Sequence, residues 1–280
     1  MDREFLWRTP VWQADLDAFG EVRNVSLLRL LQEAATRASS AVGFDSAYYD
    51  RVGAMWIIRR TALTRTGTIR YGDELTVRTW IADFRRVRSQ REYEVTVADR
   101  VVARASSDWV FVDRTHGRPR RIPAEWEATF PLPPSPAPRV PFLEAEAPSG
   151  ALTLHRRVES HDLDALQHVN NSNYVSFLEQ AALDAVGLHG WDLPAQIAAG
   201  GHLAAVRHDL EYLDAALYGE TIAIATWTTA VDDNGIERHT LLHRGDARHP
   251  LLQSRSHYRW ITDAGPTVLP TALREAFSAP

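Results

Sequence analysis

The 280-residue chain contains no cysteine and no lysine. The absence of cysteine excludes disulfide bonds, thiolate metal sites and cysteine nucleophiles, and the absence of lysine excludes Schiff-base chemistry. Long hydrophobic runs are also missing, because no segment approaches the roughly 18 uninterrupted apolar residues of a membrane-spanning helix. The first ten residues, MDREFLWRTP, include acidic residues and no apolar signal core. We therefore expect a cytoplasmic protein that does not enter a membrane.

Charge and motif content exclude several further classes of function. The net charge is −5, and the arginines are scattered among acidic residues, so no basic stripe is available to contact a phosphate backbone. The sequence has no G-x-S-x-G, P-loop, G-x-G-x-x-G or H-E-x-x-H motif. We expect no nucleic-acid partner, no cofactor and no metal site.

One segment of the sequence occurs twice. Residues 17–35, DAFGEVRNVSLLRLLQEAA, match residues 164–182, DALQHVNNSNYVSFLEQAA, at a constant offset of 147 positions (164 − 17 = 147). The same offset relates residues 71–73 to residues 218–220, so turns and strands were duplicated together with the helix. Two long copies indicate a duplicated domain, whereas solenoids stack three or more units of about 20 to 50 residues.

A proline-rich segment separates the two copies. Residues 131–150, PLPPSPAPRVPFLEAEAPSG, have no apolar periodicity, which is typical of a semi-extended linker. We therefore predict a first domain at 1–130 and a second domain at 151–280.

Each copy is predicted to contain one strand, one helix and then four strands. Helical apolar spacing begins at Leu27 in the first copy, with Asn24 or Ser26 as N-cap and Gly43 as the C-terminal stop, and the second helix closes at Gly187. The strands after the helices are expected at 55–66, 74–83, 89–98 and 101–112, and at 202–213, 220–230, 236–244 and 251–262.

The fold class follows from these elements. Residues 233–235, Asp-Asn-Gly, predict a tight hairpin, so the strands after each helix are expected to be antiparallel neighbours. A helix this apolar must be covered on most sides. The sequence therefore predicts an α+β fold in which each domain wraps a curled antiparallel sheet around a central helix.

The copies differ where chemistry would occur. The second copy has His168, Asn170, Tyr174 and Glu179, and the first has Glu21, Arg23, Leu27 and Gln32 at the matching places. We therefore predict that the second copy is catalytic and the first architectural.

The motif D-x-x-x-H-V-N-N-x-x-Y-x-x-x-x-E, from Asp164 to Glu179, resembles that of the hotdog-fold thioesterases of the 4-hydroxybenzoyl-CoA thioesterase type. The chain as a whole resembles the acyl-ACP thioesterases of bacteria and plant plastids, which carry two hotdogs in one chain. The features that carry this resemblance are the tandem layout, Trp80, residues 106–110 (SSDWV) and residues 118–123 (RPRRIP). This resemblance implies a pseudo-dimer of two hotdogs in which the first domain binds the acyl group. It also implies that the protein hydrolyses thioesters in fatty acid biosynthesis and lipid metabolism.

The second copy departs from the plastid pattern at two places. The plastid enzymes have D-x-N-x-H, whereas the middle position here is Leu166, and their later acidic residue falls near Ala215, next to Asp214. Leu166 is normal for the single-domain acyl-CoA thioesterases. Asp164 is the carboxylate that both patterns share.

Thioester hydrolysis needs a carboxylate that attacks the carbonyl or activates water, and donors for the charge that develops on oxygen. Asp164 is predicted to be that carboxylate, and His168 would orient it or the water. The N–H groups of residues 169–172 would bind the carbonyl, because a helix N-terminus leaves such donors unpaired. In the alternative interpretation, His168, Asn170 and Asn171 only bond the backbone of the turn. Asp17 is predicted to be a structural cap.

Further site residues follow from register. Asn170 and Glu179 are predicted to be catalytic, and for Glu179 a salt bridge with an arginine is the alternative. Val169, Asn171, Tyr174 and Trp56 are assigned to substrate binding. Trp56 would line an acyl channel, although aromatic residues in curled sheets are more often plain core.

The sequence leaves three functions open. The first is a thioesterase acting on an acyl-ACP or acyl-CoA, the second a hotdog dehydratase or hydratase, and the third a non-catalytic acyl-thioester binding protein. Residues Arg85, Arg86, Arg88 and Arg91 would favour an acidic carrier protein if they form an exposed rim, and a solvated strand face is the alternative. Homodimer formation is left open.

Overall fold

The computed structural model describes residues 4–133, 146–245 and 249–278. The chain divides into two compact units, Met1–Pro141 and Phe142–Pro280. Residues 134–145, which form most of the predicted linker, lie outside the described residues. No helix of the described ranges is long and apolar enough to cross a membrane.

The first unit contains five strands and three α-helices among its described residues. In chain order these are β1 Phe5–Pro10, α1 Asn24–Ser40, α2 Ser46–Val52, β2 Ala54–Arg65, β3 Glu74–Arg85, β4 Arg88–Val97, β5 Arg100–Asp113 and α3 Ala124–Thr129. Strand β3 pairs with β1 and β4, and β5 pairs with β4 and β2, all antiparallel. Helix α1 packs on β3 and β1.

The second unit repeats this order. Its elements are β6 Leu152–Arg157, α4 Asn173–Gly187, α5 Leu193–Ala198, β7 His202–Tyr212, β8 Thr221–Asp232, β9 Gly235–Arg244, β10 His249–Thr262, β11 Gly265–Thr267 and α6 Thr271–Ser278. Strand β8 pairs with β6 and β9, and β10 pairs with β9, β7 and β11, all antiparallel. Helix α4 packs against β8.

The long helices form because their apolar positions fall on one face. Leu27, Leu31 and Ala34 of α1 are almost completely buried, as are Phe177, Leu178 and other apolar residues of α4. Truncating a buried leucine of this kind to alanine costs about 2 to 5 kcal/mol, so the helix–sheet contact is a main source of stability. Helix α4 ends at Gly187, as predicted.

The α+β class is confirmed, and in both units one strand and a long helix precede the four predicted strands. The short helices α2, α3, α5 and α6 and the short strand β11 are additions to the predicted order. The predicted strands agree with the observed ones to within about two residues. The hairpin is also confirmed: Asp232 pairs with Gly235, and the Asp232 side chain accepts hydrogen bonds from the N–H groups of Asn234 and Gly235 at 2.7 and 2.9 Å.

Two sequence expectations are corrected. Strand β2 pairs with β5 and not with β3, the next strand of the chain. The N-cap of α1 is Arg23, whose side chain makes no capping hydrogen bond, and neither Asn24 nor Ser26 is the cap. Both are buried instead, because α1 starts one residue earlier than a capping Asn24 would require.

Candidate active site

A tight turn in the second unit presents the motif residues Asp164 and His168. The N–H group of Asp164 donates to the carbonyl of His168 at 3.0 Å, and the N–H group of Gln167 donates back to the carbonyl of Asp164 at 3.0 Å. The Asp164 carboxylate accepts a hydrogen bond from Leu166 N at 2.9 Å. Gln167 closes the turn with a φ of 63°, in the left-handed region. The turn therefore orients Asp164 through its own backbone.

Asp164 and His168 form a half-buried pair. Their Oδ1 and Nδ1 atoms are 3.5 Å apart, and both side chains are 24% exposed. His168 Nδ1 is also 3.3 Å from the carbonyl oxygen of Val169. A carboxylate and an imidazole that are both accessible to solvent can accept a proton from a bound water molecule.

Asp162 anchors the segment between this turn and α4. Its carbonyl accepts hydrogen bonds from Asn170 N at 2.9 Å and from the Asn173 side chain at 2.8 Å. Its buried carboxylate accepts from Arg156 at 2.9 Å and from Glu159 N at 2.9 Å. The sequence interpretation missed Asp162, although the repeat places Asp15 at the matching position (162 − 15 = 147) and could have identified it.

A second anchor is the segment between β7 and β8. Val169 N donates to the carbonyl of Ala216 at 2.9 Å, and Ala216 N donates to the hydroxyl of Tyr174 at 3.0 Å. Val169 and Tyr174 are both buried. Burial raises the pKa of Tyr174 to about 12 against the lowering effect of the Ala216 hydrogen bond. Tyr174 therefore stays neutral and holds the Ala215–Ala216 segment against the motif.

The start of α4 differs from the expected donor array. Helix α4 begins at Asn173, and three of the four N–H groups of residues 169–172 already have acceptors: the Ala216 carbonyl, the Asp162 carbonyl and Asn170 Oδ1. The prediction of an open array is thus wrong for Val169, Asn170 and Ser172. Asn171 N makes no hydrogen bond to the described part of the chain, and it is the remaining candidate donor of the set.

Asn170 and Asn171 each contribute to the local structure. Asn170 Oδ1 accepts from Ser172 N at 2.9 Å and from the Ser172 hydroxyl at 2.6 Å. The carbonyl of Asn171 accepts from the hydroxyl of Tyr212 at 3.0 Å. These contacts hold the chain in the conformation that leads into α4.

The matching turn of the first unit is arranged for stability. Asp17 Oδ1 accepts two hydrogen bonds, from Phe19 N at 2.8 Å and from Glu21 N at 3.0 Å. Glu21, which occupies the place of His168, is buried and pairs with Arg65 at 3.2 Å. Both acids of this turn are thus committed to internal contacts.

Glu179 lies in the second unit on α4 and contacts a residue that the sequence interpretation missed. Its Oε1 atom is 3.2 Å from Nε2 of His208 on β7, so a histidine contacts the carboxylate that the alternative interpretation paired with an arginine. His208 is completely buried. An inward-facing histidine between the apolar positions of a strand was the available signal.

Trp56 lies in the first unit, in an aromatic cluster. Its ring centroid is 5.0 Å from that of Phe111 and 5.3 Å from that of Trp126, and it is partly buried.

The structure brings Asp164, His168, Val169, Asn170, Asn171 and Tyr174 together around one turn.

Two family matches cover most of the chain. Residues 4–130 match the family described as Acyl-ACP thioesterase N-terminal domain, and residues 158–277 match the Thioesterase-like superfamily. The chain is 24% identical over 184 residues to oleoyl-acyl carrier protein thioesterase 2, chloroplastic, of Arabidopsis thaliana. The aligned region covers 59% of this chain and 50% of the relative. The chain thus spans about half the length of the curated relatives it matches.

Solved structures share the fold over nearly the whole chain. A structure described as an oleoyl thioesterase from Lactobacillus plantarum has a TM-score of 0.78 at 20% identity, covering 95% of this chain and 97% of that chain. The 12:0-ACP thioesterase from Umbellularia californica has a TM-score of 0.74 at 19% identity, covering 92% of this chain and 94% of that chain. At these identities the similarity establishes the fold.

Proposed function

Since residues 4–130 belong to the acyl-ACP thioesterase N-terminal domain family and residues 158–277 to the thioesterase-like superfamily, we propose that this protein hydrolyses acyl thioesters. The substrate is an acyl group linked to acyl carrier protein or to coenzyme A, and the products are the free acid and the carrier thiol. The observation that carries the proposal is the half-exposed Asp164 carboxylate beside His168, in the turn before α4.

Asp164 would act as the base in this reaction. As the oxygen of a water molecule attacks the carbonyl carbon, Asp164 takes a proton from that water, and His168 orients the carboxylate. The carbonyl oxygen becomes negatively charged, and the N–H group of Asn171 stabilises it. The C–S bond then breaks, and the departing thiolate takes up the proton from Asp164. No cofactor enters the scheme.

The other predicted site residues have supporting roles in this proposal. Asn170 keeps the start of α4 in place through Ser172, and Glu179 supplies a second carboxylate. Val169 and Tyr174 form the wall beneath the substrate, and Trp56 lines the acyl chain from the first domain.

The two units would correspond to two hotdog domains, 1–130 and 151–280, joined by a linker at 131–150 and packed as a pseudo-dimer. The repeat supports this arrangement, because duplicated units keep the surface through which two separate copies would pair. A compact chain of this length has a radius of gyration of about 19 Å. Small-angle X-ray scattering checks this value, and a markedly larger radius would mean that the units are separated on the linker.

The arginine surface of the first unit supports an acidic carrier protein. Arg85 and Arg86 are exposed, and Ile122 N donates to the carbonyl of Arg86 at 3.0 Å, which brings the exposed Arg120 and Arg121 to the same turn. Such a surface attracts acidic partners. Arg91, which the sequence interpretation placed on this rim, is buried near the hydroxyl of Thr79. The proposal also includes a role for the protein in fatty acid biosynthesis in the cytoplasm. It further includes the formation of a homodimer.

Charge reversal tests the carrier preference. Changing Arg86 and Arg121 to glutamate should lower kcat/KM for an acyl-ACP at least about tenfold at low salt and leave an acyl-pantetheine unaffected, because steering acts on the carrier. Arg100→Glu, at another exposed position, is the matched control. Equal losses on both substrates would contradict a docking role.

The decisive experiment measures thiol release from panels of acyl-ACP and acyl-CoA. Wild type should release thiol, and Asp164→Asn, which keeps the size and removes the base, should be at least about 100-fold slower. Asp17→Asn is the matched control, and it should retain most of the activity because Asp17 only accepts backbone hydrogen bonds. Tight binding of several acyl thioesters with no thiol release would identify a binding protein instead.

A further inference from the structure

Three side chains from three elements of the second unit form a hydrogen-bonded row. Glu179 on α4 contacts His208 Nε2 at 3.2 Å, and His208 Nδ1 is 2.8 Å from the hydroxyl of Ser256 on β10. His208 and Ser256 face each other directly across the β7–β10 pair. His208 is completely buried and Ser256 is nearly so, whereas the Glu179 side chain is 30% exposed. The row thus runs from the interior to an accessible carboxylate.

The chemistry of the row fixes the direction of one hydrogen bond. An ionised carboxylate only accepts, so His208 Nε2 must donate to Glu179. In the neutral imidazole the other nitrogen is then an acceptor, and the Ser256 hydroxyl donates to Nδ1. Each group is satisfied by its neighbour, and the imidazole plane is held by two bonds at opposite edges. The hydrogen bond from His208 Nε2 therefore sets the orientation of the Glu179 carboxylate.

The first unit shows that packing alone does not require this arrangement. Gln32 stands at the place of Glu179 (179 − 147 = 32), and Thr61 stands at the place of His208 (208 − 147 = 61). Thr61 pairs with Ser107 across β2 and β5, and their hydroxyl oxygens are 3.2 Å apart. A neutral threonine–serine pair therefore fills the matching position between the strands. The acid and the histidine occur together only in the copy that carries Asp164.

We infer that His208, with Ser256 behind it, is a positioning residue that holds the Glu179 carboxylate in the orientation used for hydrolysis. This inference rests on the proposed function for its kinetic consequence and adds no chemical step to it. His208 is sealed from solvent, so it acts through Glu179 and does not touch the substrate. Residues that orient metal ligands change activity by about 10- to 100-fold when they are replaced, and we expect an effect of that order for His208.

The kinetic arm compares three variants at His208 and its counterpart. His208→Leu should lower kcat at least about tenfold with little change in KM, and His208→Gln, which keeps an N–H donor, should recover most of that loss. Thr61→Val is the matched control in the first unit and should leave kcat unchanged. If His208→Leu does not fold, Ser256→Ala and His208→Gln still test the row. A folded His208→Leu with wild-type kcat overturns the inference.

The spectroscopic arm does not depend on hydrolysis. In ¹⁵N NMR spectra of the full-length protein, the His208 imidazole should be protonated and hydrogen-bonded at Nε2, and Glu179→Gln should shift that signal. An imidazole signal that Glu179→Gln leaves unchanged overturns the role of His208. A wild type that releases no thiol but shows the expected shift overturns the proposed function and leaves the hydrogen-bonded row established.

Discussion

The hydroxyl of Tyr174 accepts a hydrogen bond from the N–H group of Ala216, across 42 residues of sequence. Ala216 in turn accepts from Val169 N through its carbonyl, so both polar backbone groups of one residue bind the motif. Tyr174 and Ala216 are both buried. The position of the Asp164–His168 turn therefore depends on a contact between the first turn of α4 and the segment before β8.

Replacing Tyr174 by phenylalanine should destabilise the protein by about 1 to 3 kcal/mol, because the buried Ala216 N–H group loses its acceptor. Urea unfolding monitored by tryptophan fluorescence measures the change. Tyr218→Phe is the control, since the Tyr218 side chain is exposed and should tolerate the loss of its hydroxyl. Equal stability of the Tyr174 variant and wild type would show that the hydroxyl contributes nothing.

The same tyrosine predicts a dependence on alkaline pH. Burial, partly opposed by the Ala216 hydrogen bond, raises the pKa of Tyr174 to about 12, and an unfolded tyrosine titrates near 10. Its contribution to stability is fully present below about pH 10 and is lost as the pH rises through about 12. The difference in unfolding free energy between wild type and Tyr174→Phe should therefore shrink over this interval. A constant difference would contradict the assignment.

Asn170 should be replaceable by aspartate without loss of stability. Its Oδ1 atom accepts two hydrogen bonds from Ser172, which is completely buried. Asn170→Ala removes the acceptor and should cost about 1 to 3 kcal/mol, whereas Asn170→Asp keeps it. Thermal and urea unfolding compare the two variants. Arg23→Ala, at the matching place of the first unit, is the control, and an aspartate variant as unstable as the alanine variant would refute the explanation.

The departure at Leu166 should matter little for the rate. The Leu166 side chain is exposed, and only its backbone N–H group contacts Asp164. Leu166→Asn keeps that N–H group, so the rate of thiol release should change by less than about tenfold, or about 1.4 kcal/mol in the barrier. Steady-state assays on one acyl thioester decide this. An inactive wild type that gains activity with asparagine would mean that the site is degenerate.

Asp214 predicts a dependence on acidic pH. Burial raises the pKa of its carboxyl, but hydrogen bonds from Ala215 N, His249 and Arg244 outweigh burial and leave the pKa below its ordinary value. Its contribution to stability is present above the unfolded pKa near 3.9 and is lost as the pH falls through the lower folded value.

The stability deficit of Asp214→Asn should therefore be present at pH 7 and shrink as the pH falls from about 5 to 3. Urea unfolding at a series of pH values measures it. Asp184→Asn, at an exposed position of α4 where the carboxylate accepts a hydrogen bond from Gln180, reports the effect of net charge. A deficit for Asp214→Asn that grows with acidity would contradict the sign.

The fold was largely predictable because its signals are local. Alternation of apolar residues defined the strands, and the repeat doubled each observation. The pairing of β2 with β5 was not predictable in this way, because it joins segments separated by two further strands. The short helices α2, α3, α5 and α6 were also missed, since six to eight residues give too little periodicity to detect.

The site was predictable only in its sequence-local part. Asp164, His168 and Asn170 lie within seven residues, and the N–H group of Asp164 donates to the carbonyl of His168, as a turn motif implies. Glu179 and His208 are separated by 29 residues, and their contact depends on how α4 lies on β7. The N–H group of Val169 is paired with the carbonyl of Ala216, a residue far along the chain, so the sequence could not show that this donor is occupied.

The left-handed residue of the motif turn makes the two turns differ in backbone strain. At this place the first unit has Gly20, with φ of 74°, and the second has Gln167, with φ of 63°. Glycine adopts a positive φ about as readily as a negative one, whereas a residue with a side chain pays roughly 1 to 2 kcal/mol there. The turn that carries Asp164 therefore holds a conformational strain that its counterpart in the first unit avoids.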